Sequence, residues 1–380
     1  MNLFKFAVLL EKGNKTMFDY TVQEQYAYMD SLGEPKDDLD RSYKQFKCQL
    51  FFWPTWKRWV WWSFAIVGIP IAMLIFWLKG LLIHFETEVE TMGEDKGMDE
   101  VIPEALSSQY SIDKVAWHAG AGLTSDDLSY IVRKLFGWHH PYYILKSILY
   151  ITSFSARITR HRPKRFIVHD EFSFCSSLLT DYCHHRGVKV INVQHGEKLR
   201  FIRDSFFHFD ECYVWMDYYV KMLTRQYAEP KQFRIAVPRS LKIDVNKHRN
   251  ELFYADYKYY LAIYSEDQLK KVVESMGFAK KKGLIVKYRP HPRYSDMDLL
   301  RKYVSEDNIE MPQEVGIEES ISNLRYAVGS YTTVLLQAHF SGKRVLLDDV
   351  SFKNQYDQLK EHGYILSEEI AGIDKLSDMK

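Results

Sequence analysis

Four short clusters hold the residue types that proton transfer and anion binding require. In His169-Asp170-Glu171, two adjacent carboxylates follow the apolar run Phe166–Val168. Neighbouring side chains point different ways, so one carboxylate can act as a general base while the other caps the helix that follows. The plainer alternative is that both cap it. Val193-Gln194-His195-Gly196 places an imidazole beside a glycine, which suits proton transfer or a hydrogen bond to an anion, and Lys198, Arg200 and Arg203 make this edge basic. In Lys287-Tyr288-Arg289-Pro290-His291-Pro292-Arg293, two prolines fix the backbone around His291. Arg289 and Arg293 flank it with guanidinium forks matched to phosphate oxygens. Gly329-Ser330-Tyr331-Thr332-Thr333 sets hydroxyls and unpaired amides at a helix start, a ready anion site that by itself equally describes an ordinary N-cap.

Each cluster follows an apolar run short enough to be a strand. The pattern predicts strands at Lys114–Trp117, Phe166–Val168, Val188–Val193 and Glu211–Trp215, with a helix over Phe174–Arg186 ended by Gly187. Near Pro230–Asn250 the apolar rhythm fades, and a second series follows: strands at Tyr259–Tyr264, Gly283–Tyr288, Tyr326–Val328 and Arg344–Leu347, helices at Gln268–Met276 and Thr333–Phe340. Alternation of this kind predicts an α/β chain of two Rossmann-like domains, residues 1–240 and 241–380, facing across a crevice, with ligands at the carboxyl ends of the strands. Glycine signatures of dehydrogenases and P-loop ATPases are absent, and Ala119-Gly120-Ala121-Gly122 has neither a lysine nor a matching helix.

The chain's 380 residues suit two domains, and a hydrophobic share of 46% is ample for their cores. A net charge of +1 excludes a global field for nucleic acid, so an anion site must be local. Four cysteines without CxxC spacing read as reduced, buried thiols. The pairs His139-His140 and His184-His185 lack spaced partners, and no metal site is expected. Trp59–Leu78 runs 20 residues without a charge, with tryptophans crowding both ends, so segment 53–84 is expected to meet membrane lipid. Gly68 and Pro70 in its middle, and an ordinary polar stretch before it, favour a monotopic or re-entrant anchor over a crossing. A buried core helix or a partner interface is the alternative. An acidic connector follows (Glu86, Glu88, Glu90, Glu94, Asp95), and the basic run Arg157, Arg160, His161, Arg162, Lys164, Arg165 reads as a solvated face or a contact for anionic headgroups.

The QHG loop, the HP motif in its RPHPR setting and the SYTT helix start, in that order, resemble bacterial GT-B glycosyltransferases over roughly residues 165–350. The similarity is to the CMP-sugar-dependent sialyl-, polysialyl- and Kdo-transferases of capsule and lipopolysaccharide synthesis, and also to the CDP-alditol polymerases of teichoic-acid synthesis. The resemblance implies transfer of a sugar from a nucleotide-activated donor, CMP-sialic acid or CMP-Kdo in type, to a surface-glycan or glycolipid acceptor. The donor would be a substrate, with no cofactor besides. The site would lie at the cytoplasmic face of the inner membrane, and nucleic acid would not be a partner. By position, His291 would contact the donor phosphate, with Arg289, Arg293, Ser330, Thr332 and Thr333 around it. Glu171, Asp170 and His195 would compete as the base, with Glu171 slightly ahead of Asp170. Phe172 stands where the family often has a glycine, which leaves the choice of carboxylate open. A CDP-alditol phosphotransferase and a non-catalytic membrane adaptor of a polysaccharide assembly complex are the alternatives.

Overall fold

A computed structural model describes residues 14–94, 98–115, 120–171, 174, 176–368 and 372–379. Asp95, Trp117, Ala119, Phe172, Ser173 and Cys175, which enter the readings above, lie outside the described residues. The chain divides into two compact units: residues 1–196 with 200–236, and residues 237–380 with 197–199.

Unit 1 carries a six-stranded, wholly parallel sheet. Its strands are β1 (Thr91–Glu94), β2 (Asp113–Val115), β3 (Arg165–Val168), β4 (Lys189–Val193), β5 (Glu211–Val214) and β6 (Phe233–Ile235), in the order β2-β1-β3-β4-β5-β6. After their first residues, β3 and β4 are buried, and apolar except for Asn192, because parallel strands are covered on both faces. Helix α1 (Ser176–His185) connects them, and Gly187, at φ +71°, turns the chain into β4 in a conformation that other residues adopt with strain. The acidic connector is a correction: it contains β1, which pairs with both β2 and β3. The basic run is another. Arg157 is 1% exposed against Phe154 and Phe166, and Arg160 and Arg165 pair with Glu86 and Glu90 of that same connector, whereas Arg162 and Lys164 are exposed as a solvated face requires.

The apolar segment is a single helix, Thr55–Gly80, laid along helix Pro141–His161, which covers the sheet. Lys57, Ala65 and Ala72 form its buried stripe. At its end the Leu123 N–H donates to the Phe76 carbonyl at 2.8 Å, and a Cβ on Gly80 would stand 2.0 Å from the Leu123 carbonyl oxygen, so only glycine permits that approach. Only 11% of its most apolar window is buried, and Trp59, Phe64, Val67, Ile71, Leu74 and Leu78 are all exposed. The core-helix alternative is therefore overturned.

Unit 2 carries a five-stranded parallel sheet in the order β11-β10-β9-β7-β8, from β7 (Ala255–Tyr260), β8 (Val286–Arg289), β9 (Leu324–Gly329), β10 (Arg344–Leu347) and β11 (Ile373–Lys375). Its core is rich in tyrosine: Tyr257 stacks on Tyr326 with centroids 5.1 Å apart, and Tyr259 and Tyr288 lie beside them. The α/β class with two parallel sheets is the one the sequence predicts. Cys48, Cys183 and Cys212 are buried thiols, and burial pushes Cys48 up to about 12.

Candidate functional site

In unit 2 the chain leaves β7 toward β8 on one side and continues from β9 to β10 and β11 on the other. The strand order thus reverses between β7 and β9, and open parallel sheets bind ligands at the carboxyl ends beside such a reversal. A cavity of about 480 Å³ lies there. Tyr259, Tyr260 and Ala262 line it from the end of β7, His291 and Tyr294 from the loop after β8, and Ser330, Thr332 and Thr333 from the turn after β9.

Local bonds hold these groups. The His291 backbone N–H donates to Ser295 Oγ at 2.8 Å, and its ring stacks on Tyr294 with centroids 4.5 Å apart. The Arg293 N–H donates to His291 Nδ1 at 3.1 Å. Thr332 is the N-cap of α2 (Thr333–Phe340), its hydroxyl accepting from the Val334 N–H, so the cap seen in the sequence forms and also faces the cavity. A Cβ on Gly329 would come within 3.2 Å of the Tyr260 carbonyl oxygen, tight enough to press β9 away from β7. Burial and the Asp348 carboxylate raise Tyr259 well above the usual phenol value, and burial raises Tyr260, so both remain hydroxyls at neutral pH. Strand-end tyrosines are the signal for these wall residues that the motif reading passed over.

The two arginines beside His291 do not line this cavity. Arg289 is buried, donating to Glu310 Oε1 at 2.9 Å and to the Val315 carbonyl at 2.7 Å, so its guanidinium braces the loop from below. Arg293 is exposed. Among the described residues that wall the cavity there is no lysine or arginine, and the polar groups that face it are the hydroxyls at the start of α2 and the His291 imidazole.

In unit 1 the order reverses between β1 and β3, and the acid pair follows β3. Asp170 and Glu171 diverge as adjacent residues should. Asn192 joins them, its Oδ1 accepting the Asp170 N–H at 2.8 Å and its Nδ2 donating to Glu171 Oε2 at 3.1 Å. Glu171 is 2% exposed. Asp170 instead lines a second cavity and accepts a short hydrogen bond from the Tyr150 hydroxyl. His195 is exposed at the end of β4, its ring 5.3 Å from that of His169. Lys198 is buried, and Arg203 lines the same cavity as Asp170.

Three of the paired histidines make structural contacts. His140 caps helix Pro141–His161, while His184 and His185 bond to Asp210 and Asp126. Among the described residues no group of three or more His, Cys, Asp and Glu is placed to hold a metal ion.

No protein-family model matches the chain, and no curated protein matches it in sequence. Among solved structures it is similar to the UDP-GlcNAc 2-epimerase of Methanocaldococcus jannaschii in complex with UDP-GlcNAc and UDP, at 11% identity over 77% of this chain and 88% of that one, with a TM-score of 0.43. The glycotransferase of kitacinnamycin gives 9% identity, 76% and 86% coverage and a TM-score of 0.46. The wall teichoic acid polymerase TagF gives 10% identity, 75% and 76% coverage and a TM-score of 0.39. Likeness at this level leaves the fold to be read from the strand order itself.

Proposed function

We propose that the chain is a membrane-associated glycosyltransferase of the GT-B type. Unit 2 would hold a nucleotide-activated donor and unit 1 would receive a glycan acceptor. The observation that carries the reading is the convergence of His291, Ser330, Thr332 and Thr333 on one cavity beside the β7/β9 reversal. A departing nucleotide phosphate gathers negative charge, and the donors that meet it there are the start of α2, three hydroxyls and an imidazole nitrogen, all positioned before reaction. Asp170, in the cavity of unit 1, is the base that takes the proton of the acceptor hydroxyl as that oxygen attacks the anomeric carbon. Arg289 braces the His291 loop through Glu310 and lines a neighbouring cavity that shares His291 and Thr332 with this one.

Helix Thr55–Gly80 supplies the membrane contact. Its contacts with unit 1 run from Lys57 to Gly80, and a crossing would carry the sheet's own covering helix into the bilayer. On this reading it lies in the plane of the membrane, its exposed apolar face among the acyl chains, at the cytoplasmic face of the inner membrane.

The testing experiment is a thermal-shift series with CMP, CDP, UDP and GDP, followed by product analysis with CMP-sialic acid, CMP-Kdo and CDP-glycerol. Stabilisation by CMP and transfer of the sugar are expected. Release of CMP from CDP-glycerol would identify the alditol phosphotransferase, and the absence of any nucleotide binding would leave the adaptor.

A further inference from the structure

We propose that unit 1 holds a second ligand site, at the foot of the apolar helix, which binds the phosphate of a lipid-linked glycan. As an acceptor site it rests on the transferase reading, but its ligand class follows from the cavity alone. That cavity, of about 520 Å³, is lined by Lys15, Lys146 and Arg203 together with one carboxylate, Asp170. Three cations converge in one recess of a chain whose net charge is only +1. Its walls are aromatic and already engage the cations. The Lys146 ammonium lies 4.1 Å from the centroid of Phe174, and the Arg203 guanidinium lies 4.5 Å from that of Phe201, with its Nε held by Asp204 at 2.9 Å.

A fourth cation stands behind the wall. Lys57 is 3% exposed, donates to Asn14 Oδ1 at 2.9 Å and lies 4.2 Å from the Trp53 centroid, and both of those residues line the cavity.

Two features specify a lipid-linked anion. Trp53 is both a wall of the cavity and the residue that leads, through Pro54, into helix Thr55–Gly80. A ligand whose apolar chain lies beside that helix can reach the cations with a phosphate at its polar end. Asp170 shares the recess, so the sugar beyond the phosphate comes within reach of the carboxylate that the transferase reading makes the base.

The test is titration of the full-length, detergent-solubilised chain with farnesyl monophosphate, a phosphate monoester on an apolar chain, against farnesol and inorganic phosphate. Saturable binding of farnesyl monophosphate is expected, at least tenfold tighter than either comparator. Lys146→Ala and Arg203→Ala should each weaken it about tenfold or more, while Lys146→Arg stays within about threefold of the unaltered chain. CMP affinity and the thermal midpoint of the same variants, expected to be unchanged, report that they fold. Equal binding of farnesol would reduce the recess to an apolar pocket and overturn the proposal. Equal binding of inorganic phosphate would overturn the lipid-linked assignment, and unchanged affinity in both alanine variants would place the ligand elsewhere. If the unaltered chain binds farnesyl monophosphate as expected but no nucleotide, the transferase reading falls and the site stands.

Discussion

The Arg293 backbone N–H donates to His291 Nδ1 at 3.1 Å, which makes Nδ1 the acceptor of the ring and leaves Nε2 as its protonated nitrogen. His291 lines the unit 2 cavity, so the group it offers a donor phosphate is an Nε2–H. The ring's orientation is thus set by the residue two positions on.

This relationship separates two conservative replacements. Gln at position 291 keeps an amide N–H near the Nε2 position, whereas Asn can keep the acceptor toward Arg293 but does not reach the phosphate. His291→Ala should lower turnover about 10²–10⁴-fold with the fold intact. His291→Gln should retain more turnover than His291→Asn, and steady-state kinetics with the same donor would show the reverse order if the Arg293 contact were the ring's main purpose.

Ser330 and Thr332 share the turn that starts α2. Alanine at both should weaken nucleotide binding by about 1–3 kcal/mol, the usual loss for bonds to a charged group. Calorimetric titration with the nucleotide measures it. A dissociation constant equal to that of the unaltered chain would return Thr332 to the role of a plain N-cap.

The sequence is legible where strand, turn and helix each carry their own local signal. Thr333–Phe340 and Arg344–Leu347 appear within the bounds expected, because a threonine cap opens the helix and a run of Val and Leu fills the strand. β7 appears at Ala255–Tyr260, earlier than the Tyr259–Tyr264 expected. Its interior is tyrosine and lysine, and Lys258 is buried only because Glu310, far along the chain, neutralises it. The same carboxylate also pairs with Arg289, a contact that the phosphate-like spacing of the RPHPR run conceals. β1 lay hidden in an acidic stretch, since Thr91–Glu94 shows no apolar alternation. The recess of unit 1 assembles Lys15, Trp53, Lys146, Asp170 and Arg203 from separate segments, and no local pattern joins them.

Glu310 holds two buried cations at once. Lys258 Nζ lies 2.5 Å from Oε2, Arg289 Nη1 lies 2.9 Å from Oε1, and the Ser320 hydroxyl makes a short bond to Oε1. Burial pulls the Lys258 ammonium below its ordinary value even with that carboxylate beside it. Glu310→Gln leaves both cations without their counter-charge and should cost about 3–5 kcal/mol in urea unfolding. A loss below about 1 kcal/mol would mean that the network is already relaxed by water.

Asp127 links the helix after Thr124 to α1. Its side chain is fully buried, with Arg186 Nη1 at 2.6 Å and the hydroxyls of Tyr182 and Ser155 around it. Burial pushes its carboxyl up, but Arg186 and the hydroxyl donors together outweigh that and hold it below the usual carboxylate value of 3.8. A carboxyl depressed in the folded state stabilises the fold above its unfolded value and loses that contribution as pH falls through the folded value. Asp127→Asn should therefore be less stable than the unaltered chain by about 3 kcal/mol at pH 7, with the gap closing below about pH 4. Denaturant titrations at a series of pH values would show a constant gap if the carboxylate's charge were irrelevant.

The base is the remaining choice, and Asn192 decides how to test it. Asn192 accepts the backbone N–H of Asp170 and donates to the carboxylate of Glu171, so it fixes the first residue by its main chain and the second by its side chain. That leaves the Asp170 carboxylate in the unit 1 cavity and turns Glu171, slightly favoured on its distance from the strand, into the interior. An acceptor hydroxyl is a poor nucleophile at neutral pH, so its base should be nearly indispensable for transfer and dispensable for holding nucleotide. Asp170→Asn should reduce turnover at least about 10²-fold with CMP affinity unchanged. Glu171→Gln keeps an oxygen that can accept from Asn192, so turnover should fall less, and any loss should follow thermal stability. His195→Ala is the third arm, because that exposed ring stands at the neighbouring strand end beside His169. If Asp170→Asn keeps normal turnover while His195→Ala abolishes it with CMP affinity intact, the proton goes to the imidazole and the chemistry moves toward alditol-phosphate transfer.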